Sequence, residues 1–436
     1  MNKKLGYYTV GDRIFYSKVE ACMFATKLFN KLDHKLNIKP YQLITWNFNN
    51  EAFNNYDWTI EPDSSLDELY DIRSKHLREL YDYIIISFSG GADSWNIIMS
   101  FLRQGLFIDE IVVTRMHNAM KNFAIVDPIE TSAKYCYEAE FELQTKFRLA
   151  EISNLSPKTK ITVIDTSNSV FDFFTKNNDE SWTLKVREEL NPVDASRFDL
   201  CKFANVERVL DVNKKIGIIV GMDKAKIRIR KTTNLVELVF TDRTANQIPI
   251  GENLTRYTNS TIEYFYWSPD ACDLLCKQAH VIKKWLEKNR YYQIFFHESP
   301  ILLKDNRHAT DRILRPILYT TWNKDWFQSD KNQLDWHAEN DYWFITQSQN
   351  TIEHSLWRSG LDYVKKHCSP YIQYYLDDLS FPDGLIRLKN FYKIGYLYNK
   401  EIKITNINTR QNINQKKLIA DLTERDLQNL IYVNLK

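Results

Sequence analysis

The chain has 436 residues, and its 44% hydrophobic and 26% charged content is typical of a globular protein rather than a disordered or fibrous one. Its 58 lysines and arginines nearly balance its 56 aspartates and glutamates, which argues against long nucleic acid as the main partner but leaves room for a local basic patch. No apolar run approaches the ~20 residues of a membrane-spanning helix, and the N-terminal stretch lacks the apolar core of a signal peptide, so we expect a cytoplasmic protein without membrane contact.

Residues 1–80 are predicted to form a small α+β lead-in. The stretch "GYYTVGDRIFY" at 6–16 has two short apolar runs around Gly11 and Asp12, which indicates a hairpin. A helix follows with Ser17 as its cap. The segment "PDSSLDELYDIRSKHLRELY" predicts a second helix, capped by Ser64 or Ser65, with acidic residues in its first turn.

Residues 81–250 are predicted to form the main α/β domain. The runs "YIIISF", "IDEIVVTRM", "KITVIDT" and "IGIIVGMDK" are apolar without alternation, which is typical of strands buried on both faces. Helical patterns separate them, and one of these helices ends at Gly105. This alternation predicts a Rossmann-like parallel sheet with right-handed crossovers.

The C-terminal half is predicted to be mainly helical, with residues 251–436 forming a region that holds a substrate or partner. The stretches "AKIRIRKTTNLVELVFTDRTA" and "GLIRLKNFYKIGYLYN" each predict a hairpin, and "SPDACDLLCKQAHVIKKWLEK" predicts a helix between them. Nothing in this pattern names a function.

The turn Ser89-Gly90-Gly91-Ala92-Asp93-Ser94 lies between the first buried strand of the main domain and its helix. Ligands of open parallel sheets bind beyond the carboxyl ends of the strands. Adjacent glycines let backbone N–H groups form a concavity for anionic oxygens, and the N-terminus of a helix adds positive charge. The turn therefore predicts a phosphate site with Asp93 as a Mg²⁺ ligand. The alternative is a plain tight turn in which Asp93 or Ser94 caps the helix.

The motif S-G-G-x-D-S differs from the Walker loop and resembles the signature of the PP-loop ATP pyrophosphatase superfamily, the N-type or adenine nucleotide α-hydrolase-like proteins. The resemblance covers roughly residues 80 to 230 and includes the nucleotide domains of asparagine synthetases and PAPS reductases. The order of motifs is also similar to that of large viral (phage) PP-loop proteins, which would place the chain in the host cytoplasm. The resemblance implies Mg²⁺-dependent cleavage of ATP to AMP and pyrophosphate, with AMP activating an acceptor.

The resemblance also implies roles for residues outside the glycine turn. Main-chain groups of Thr114, Arg115 and Met116, at the end of the second strand, would contact the adenine. After the fourth strand, Lys224 would neutralise pyrophosphate and Asp223 would share the metal. The alternative for both Lys224 and Asp223 is a turn residue whose charge is solvated.

The residues predicted to bind ATP are Ser87, Ser89, Gly90, Gly91, Ala92, Asp93, Ser94, Thr114, Arg115, Met116 and Gly221. Catalysis is assigned to Asp93, Asp223 and Lys224. The predicted acceptor-binding residues are His117, Arg312 and Arg315, for which a structural histidine and a structural ion pair are the alternatives.

The cysteines limit which branch of the superfamily the chain resembles. Asparagine synthetases with a glutaminase carry a cysteine directly after the initiator methionine, whereas this chain has Asn2. Its six cysteines are scattered, which favours reduced thiols over disulfides. Cys272 and Cys276 could supply half of a metal site, but packing of two small side chains in the core is the better interpretation.

The sequence leaves three hypotheses. The leading one is an ATP-dependent adenylating enzyme acting on a small molecule or nucleobase, with amide or amine bond formation as one outcome. The second is an enzyme with the same ATP chemistry that modifies DNA or tRNA. Besides ATP, it would bind nucleic acid or a partner protein. The third is a nucleotide-binding regulator without turnover, which the intact motif from Ser89 to Ser94 disfavours.

Overall fold

The structure is a computed structural model. It describes residues 6–31, 39–118, 141–185, 190–192, 195, 214–221, 223–230, 233–242, 260–290, 293, 296–297, 314–323, 326, 344–345, 348–374 and 386–397. The sequence also predicts helices over 130–152 and 199–215, of which residues 130–140 and 199–213 lie outside these ranges.

The strands within the described residues are β1 (Tyr7–Val10), β2 (Arg13–Phe15), β3 (Thr45–Asn47), β4 (Tyr83–Ser87), β5 (Glu110–Arg115), β6 (Lys160–Asp165), β7 (Ile216–Val220), β8 (Lys226–Ile229), β9 (Val236–Thr241), β10 (Ser260–Tyr264), β11 (Ile372–Tyr374), β12 (Ile386–Leu388) and β13 (Tyr392–Tyr396). The α-helices are α1 (Lys18–Lys31), α2 (Asn50–Asn55), α3 (Leu66–Leu80), α4 (Ala92–Arg103), α5 (Lys146–Leu155), α6 (Ser169–Lys176), α7 (Trp182–Lys185), α8 (Cys272–Lys288) and α9 (Ile352–Cys368). A π-helical turn, Phe141–Thr145, leads directly into α5, and short 3-10 turns cover Pro40–Leu43, Pro269–Ala271 and Ser369–Tyr371.

A five-stranded sheet in the order β10-β7-β4-β5-β6, in which all neighbouring strands are parallel, forms the centre of the fold. The predicted α/β, Rossmann-like class is therefore confirmed, and the four apolar runs form β4, β5, β6 and β7. The fifth strand, β10, was not predicted. It lies at residues 260–264, beyond the predicted boundary at residue 250.

The order of the strands reverses at β4. From β4 the chain builds β5 and β6 on one side, then returns to place β7 and β10 on the other side. The loops that leave the carboxyl ends of β4 and β7 are therefore neighbours. Ligands of doubly wound sheets bind in the crevice at such a reversal.

Two of the predicted helices begin at a serine that caps them. Ser65 is the N-cap of α3, where its hydroxyl accepts from the Glu68 N–H at 3.2 Å while the Glu68 carboxylate accepts from the Ser65 N–H at 2.7 Å. The Glu20 N–H donates to the Ser17 hydroxyl at 3.4 Å at the start of α1. Both predicted caps are confirmed, with Ser65 in the cap position rather than Ser64.

Two of the three predicted hairpins are confirmed, since β1 pairs antiparallel with β2 and β8 with β9. The third, near the C-terminus, is wrong. β12 pairs with β11, and β13 pairs with β9. Between them the main chain of Phe391 exchanges hydrogen bonds of 2.9 Å with Asp242, which follows β9, and this contact draws β13 onto β9 instead of β12.

A fully buried ion pair joins the N-terminal lead-in to these strands. The Lys18 Nζ lies 2.7 Å from Asp242 Oδ2, and both side chains have no exposed surface. The Tyr8 hydroxyl donates to the same carboxylate oxygen at 2.8 Å. Helix α1, strand β1 and the β9–β13 pair thus meet at one carboxylate.

None of the described helices is both long and apolar enough to cross a membrane.

Replacing Lys18 with methionine tests the cost of this buried pair. We expect the free energy of unfolding, measured in urea, to fall by about 3–5 kcal/mol, because the Asp242 carboxylate stays buried without its cation. Lys27 is exposed on the same helix, so Lys27→Met should change stability by no more than about 0.5 kcal/mol. Equal stability of the two variants would show that the pair contributes nothing to the docking of α1.

Candidate functional site

The glycine turn after β4 has the backbone geometry of a tight loop. Ser87 is the last residue of β4, Gly90 has a φ of +78°, and Gly91 is the extended N-cap of α4. The Gly91 N–H donates to the Ser89 hydroxyl at 3.4 Å. A positive φ is strained for residues other than glycine, which explains why the first glycine of the pair is needed.

The π-helical turn before α5 braces this loop from outside. Gln144 Nε2 donates to the Gly90 carbonyl at 2.8 Å, and the Thr145 hydroxyl donates to the Ser89 carbonyl at 3.2 Å. A Cβ on Gly90 would lie 2.3 Å from Thr145 Oγ1, so the two segments touch where a side chain has no room. No sequence pattern indicates this role for Gln144 or Thr145, because they belong to a different helix.

The N-terminus of α4 presents backbone donors to the crevice. Its first intrahelical bond runs from the Trp95 N–H to the Gly91 carbonyl at 3.0 Å, so the N–H groups of Ala92, Asp93 and Ser94 have no acceptor within the helix. Gly91 has no side chain to cap them. Asp93 and Ser94 are inside the helix rather than at its cap position, which removes the simple capping alternative.

The end of β7 lies directly against this helix start. A Cβ on Gly221 would lie 3.1 Å from the Ser94 nitrogen and 3.3 Å from the Asp93 carbonyl carbon. Lys224 is buried, with its Nζ 4.0 Å from Asp93 Oδ1 and 3.6 Å from Asp223 Oδ1. The structure thus brings the predicted residues from both strand ends together.

Two tyrosines that were not among the predicted site residues hold Asp93 from the opposite side. The Tyr266 hydroxyl, just after β10, donates to the Asp93 carbonyl at 2.8 Å, and the Tyr319 hydroxyl donates to Asp93 Oδ1. Both tyrosines are almost completely buried. The sequence "YFYW" at the end of β10 could have indicated Tyr266, since it places aromatic residues at the carboxyl end of a sheet strand.

The charges around Asp93 favour an anionic ligand. Burial raises the pKa of the Asp93 carboxyl above its ordinary value, Lys224 and Arg315 oppose the rise, and Asp223 adds to it. Lys226 forms an ion pair with Asp223. Three cationic side chains therefore accompany two carboxylates in this part of the described chain, and their positive charges suit the oxygens of a phosphate chain.

The predicted adenine segment lies at the carboxyl end of β5, beside β4. Thr114 is exposed and Met116 is buried. The Arg115 carbonyl accepts from both the N–H and the hydroxyl of Thr166, at 2.7 and 3.2 Å, so both of its lone pairs have partners. The Arg115 guanidinium lies 3.9 Å from the centre of the Phe141 ring and 3.0 Å from His117 Nδ1.

Of the two predicted acceptor arginines, Arg312 lies outside the described residues. Arg315 lies close enough to influence the Asp93 carboxyl electrostatically, and its guanidinium is 5.9 Å from the Trp322 ring centre. The Arg148 guanidinium lies 4.4 Å from the same ring. Trp322 is buried.

Cys272 and Cys276 are buried in α8, and their thiols donate to main-chain carbonyls. Burial raises the pKa of each thiol to about 12, which disfavours the thiolate form that binds metal. No cluster of three or more histidine, cysteine or carboxylate side chains suited to a metal ion occurs within the described ranges. The core-packing interpretation is therefore the better one.

Comparison with known proteins identifies no relative of the chain. No protein-family model matches it, and a search among curated proteins found no match either. The resemblance to PP-loop proteins accordingly depends on the residues themselves, from Ser89 to Ser94.

Substituting Gly90 tests the close approach to Thr145. We expect Gly90→Ala to lose roughly 1–2 kcal/mol of unfolding free energy from the left-handed backbone and about 1–3 kcal/mol more from the clash. Gly105 is the matched control, because it has a φ of +69° and no atom lies within 4 Å of the place that a Cβ would occupy. Gly105→Ala should show the backbone cost alone in urea unfolding. Equal losses in the two variants would contradict the bracing of the loop.

Proposed function

We propose that this chain is an ATP-dependent adenylating enzyme of the PP-loop type, which cleaves ATP to AMP and pyrophosphate and transfers AMP to an acceptor. The observation that carries the proposal is the meeting of Asp93, Asp223 and Lys224 at the N-terminus of α4. They meet at the reversal of strand order, where ligands of this sheet type bind.

The phosphate chain would lie against the glycine turn. The N–H groups of Ala92, Asp93 and Ser94, together with the positive end of α4, suit anionic oxygens. Lys224 would neutralise the negative charge that develops on the leaving pyrophosphate. Such fixed charges need no rearrangement during the reaction, which is how preorganised sites lower a barrier.

The donor set at Asp93 and Asp223 fits Mg²⁺. This ion prefers hard oxygen ligands and is usually held by one or two carboxylates together with phosphate oxygens and water. Asp223 raises the pKa of Asp93 electrostatically, so the two carboxylates are near enough to influence each other. Bound Mg²⁺ would neutralise charge on the phosphate oxygens, while the two aspartates orient it.

The adenine would occupy the carboxyl end of β5. Because the Arg115 carbonyl already accepts twice, we assign the contact with the adenine edge to neighbouring main-chain groups of Thr114 and Met116. A nucleophilic oxygen of the acceptor would attack the α-phosphorus, and the bond to the bridging oxygen of pyrophosphate would break. Arg315, whose charge acts on the Asp93 carboxyl, is the candidate contact for an anionic acceptor.

The identity of the broken bond is the first test. ATP labelled in the α and γ positions is incubated with Mg²⁺ and pools of amino acids, nucleobases, or DNA and RNA oligonucleotides. For each labelled pyrophosphate we expect one α-labelled product, either the adenylated acceptor or AMP released from it, because one α–β bond is broken in each turnover. If chromatography finds only ADP and phosphate, from enzyme free of contaminating ATPase, the proposal is overturned. The pool of compounds that supports the cleavage identifies the chemical class of the acceptor.

Asp93→Asn is the second test. The variant keeps the shape of the side chain but removes a metal ligand, so Mg·ATP affinity measured by calorimetry should fall at least 10-fold, or about 1.4 kcal/mol. Its melting temperature should change little, because asparagine keeps a side-chain oxygen that can accept from the Tyr319 hydroxyl and the Asp93 side chain is 27% exposed. Asp172 provides the control, since it is an exposed aspartate in the first turn of α6. Asp172→Asn should bind Mg·ATP normally, and unchanged binding by Asp93→Asn would count against a metal role.

A further inference from the structure

Tyr319 contacts the candidate metal ligand from a distant part of the chain. Its hydroxyl donates to Asp93 Oδ1, and its side chain is only 1% exposed. It immediately follows the described helical turn that contains Arg315, and its N–H donates to the Arg315 carbonyl at 2.9 Å. The contact thus joins the glycine turn to the segment that carries the candidate acceptor arginine.

The phenol is itself held in place by other buried groups. The Tyr70 hydroxyl donates to the carbonyl of Leu318, the residue before Tyr319, at 2.9 Å. Gln278 Nε2 in turn donates to the Tyr70 hydroxyl at 3.0 Å. The backbone that carries Tyr319 is therefore held by α3 and α8 through the Leu318 carbonyl.

Among the described residues, the contacts of the Asp93 side chain use one of its two carboxylate oxygens. Tyr319 donates to Oδ1, and the Lys224 Nζ is 4.0 Å from the same atom. The Tyr266 hydroxyl separately holds the Asp93 carbonyl at 2.8 Å. With the main chain and Oδ1 both held, the plane of the carboxylate is fixed and Oδ2 is the oxygen left to bind a metal ion.

We infer that Tyr319 is a positioning residue that orients Asp93 toward Mg²⁺ in the nucleotide complex. This inference depends on the proposed function, because it assumes that Asp93 binds the metal. Partners that orient metal ligands typically change metal affinity 10- to 100-fold when they are removed. Tyr319 would act through Asp93 and would not touch the nucleotide itself.

The test is a titration of Mg²⁺ into protein saturated with the α,β-methylene analogue of ATP, followed by calorimetry. We expect Tyr319→Phe to weaken Mg²⁺ binding about 10-fold, while affinity for the analogue without metal stays unchanged. Tyr371→Phe is the matched control, because it removes the hydroxyl of another buried tyrosine, which donates to the Pro40 carbonyl rather than to Asp93 or to the backbone that carries Tyr319. Equal Mg²⁺ affinities in wild type and Tyr319→Phe, or equal losses in both variants, would overturn the inference.

Two further measurements separate the ways in which the inference could fail. Absence of Mg²⁺-dependent analogue binding in the wild type would overturn the proposed function and this inference together. If Tyr319→Phe does not fold, the double variant Asp93→Asn/Tyr319→Phe is made, because it removes the carboxylate that has lost its hydrogen-bond donor. Recovery of folding in the double variant supports the pairing with Asp93, and failure to fold would show that Tyr319 is only part of the scaffold.

Discussion

The reversal of strand order at β4 is the constraint on which the candidate site depends. Because the chain builds outward on one side of β4 and then returns to the other, the loops after β4 and β7 open into the same crevice. Close contact of these loops requires a missing side chain at Gly221, which has little room against the start of α4. Gly90 has no room for a Cβ against Thr145, so a second missing side chain lets the turn before α5 brace the loop. The sheet topology and Gly221 together bring Asp93 and Lys224 within 4.0 Å.

The part of the site that could be predicted from sequence is the part with a local signal. A buried apolar run followed by two glycines and a helix specifies a strand, a tight turn and a helix N-terminus within one short segment, so the residues from Ser89 to Ser94 could be recognised. Gln144, Tyr266 and Tyr319 contact the same loop from other elements. Their role depends on tertiary packing, which no short-range pattern encodes.

The errors in the predicted fold have the same origin. β10 contains Glu263, a buried carboxylate that pairs with Arg73 and accepts from the Tyr81 hydroxyl at 2.6 Å. β10 is an edge strand of the sheet, its apolar run is interrupted by this charged residue, and only distant partners offset the cost of burying the charge. Similarly, the segments of the predicted C-terminal hairpin each have strand character, but Asp242 determines that β13 pairs with β9. Local propensity indicated the strands and could not indicate their partners.

The same long-range contacts mean that the candidate nucleotide site cannot be assigned to the segment 81–250 alone. β10, Tyr266 and Tyr319 all lie beyond residue 250, and the two tyrosines hold the main chain and the carboxylate of Asp93. Tyr319 also shares a turn with Arg315, whose charge acts on that carboxylate. A change in the position of Arg315 would therefore reach Asp93 through the hydrogen bond from Tyr319. In an adenylating enzyme, this connection would link the segment that contacts the acceptor to the residue that orients the metal.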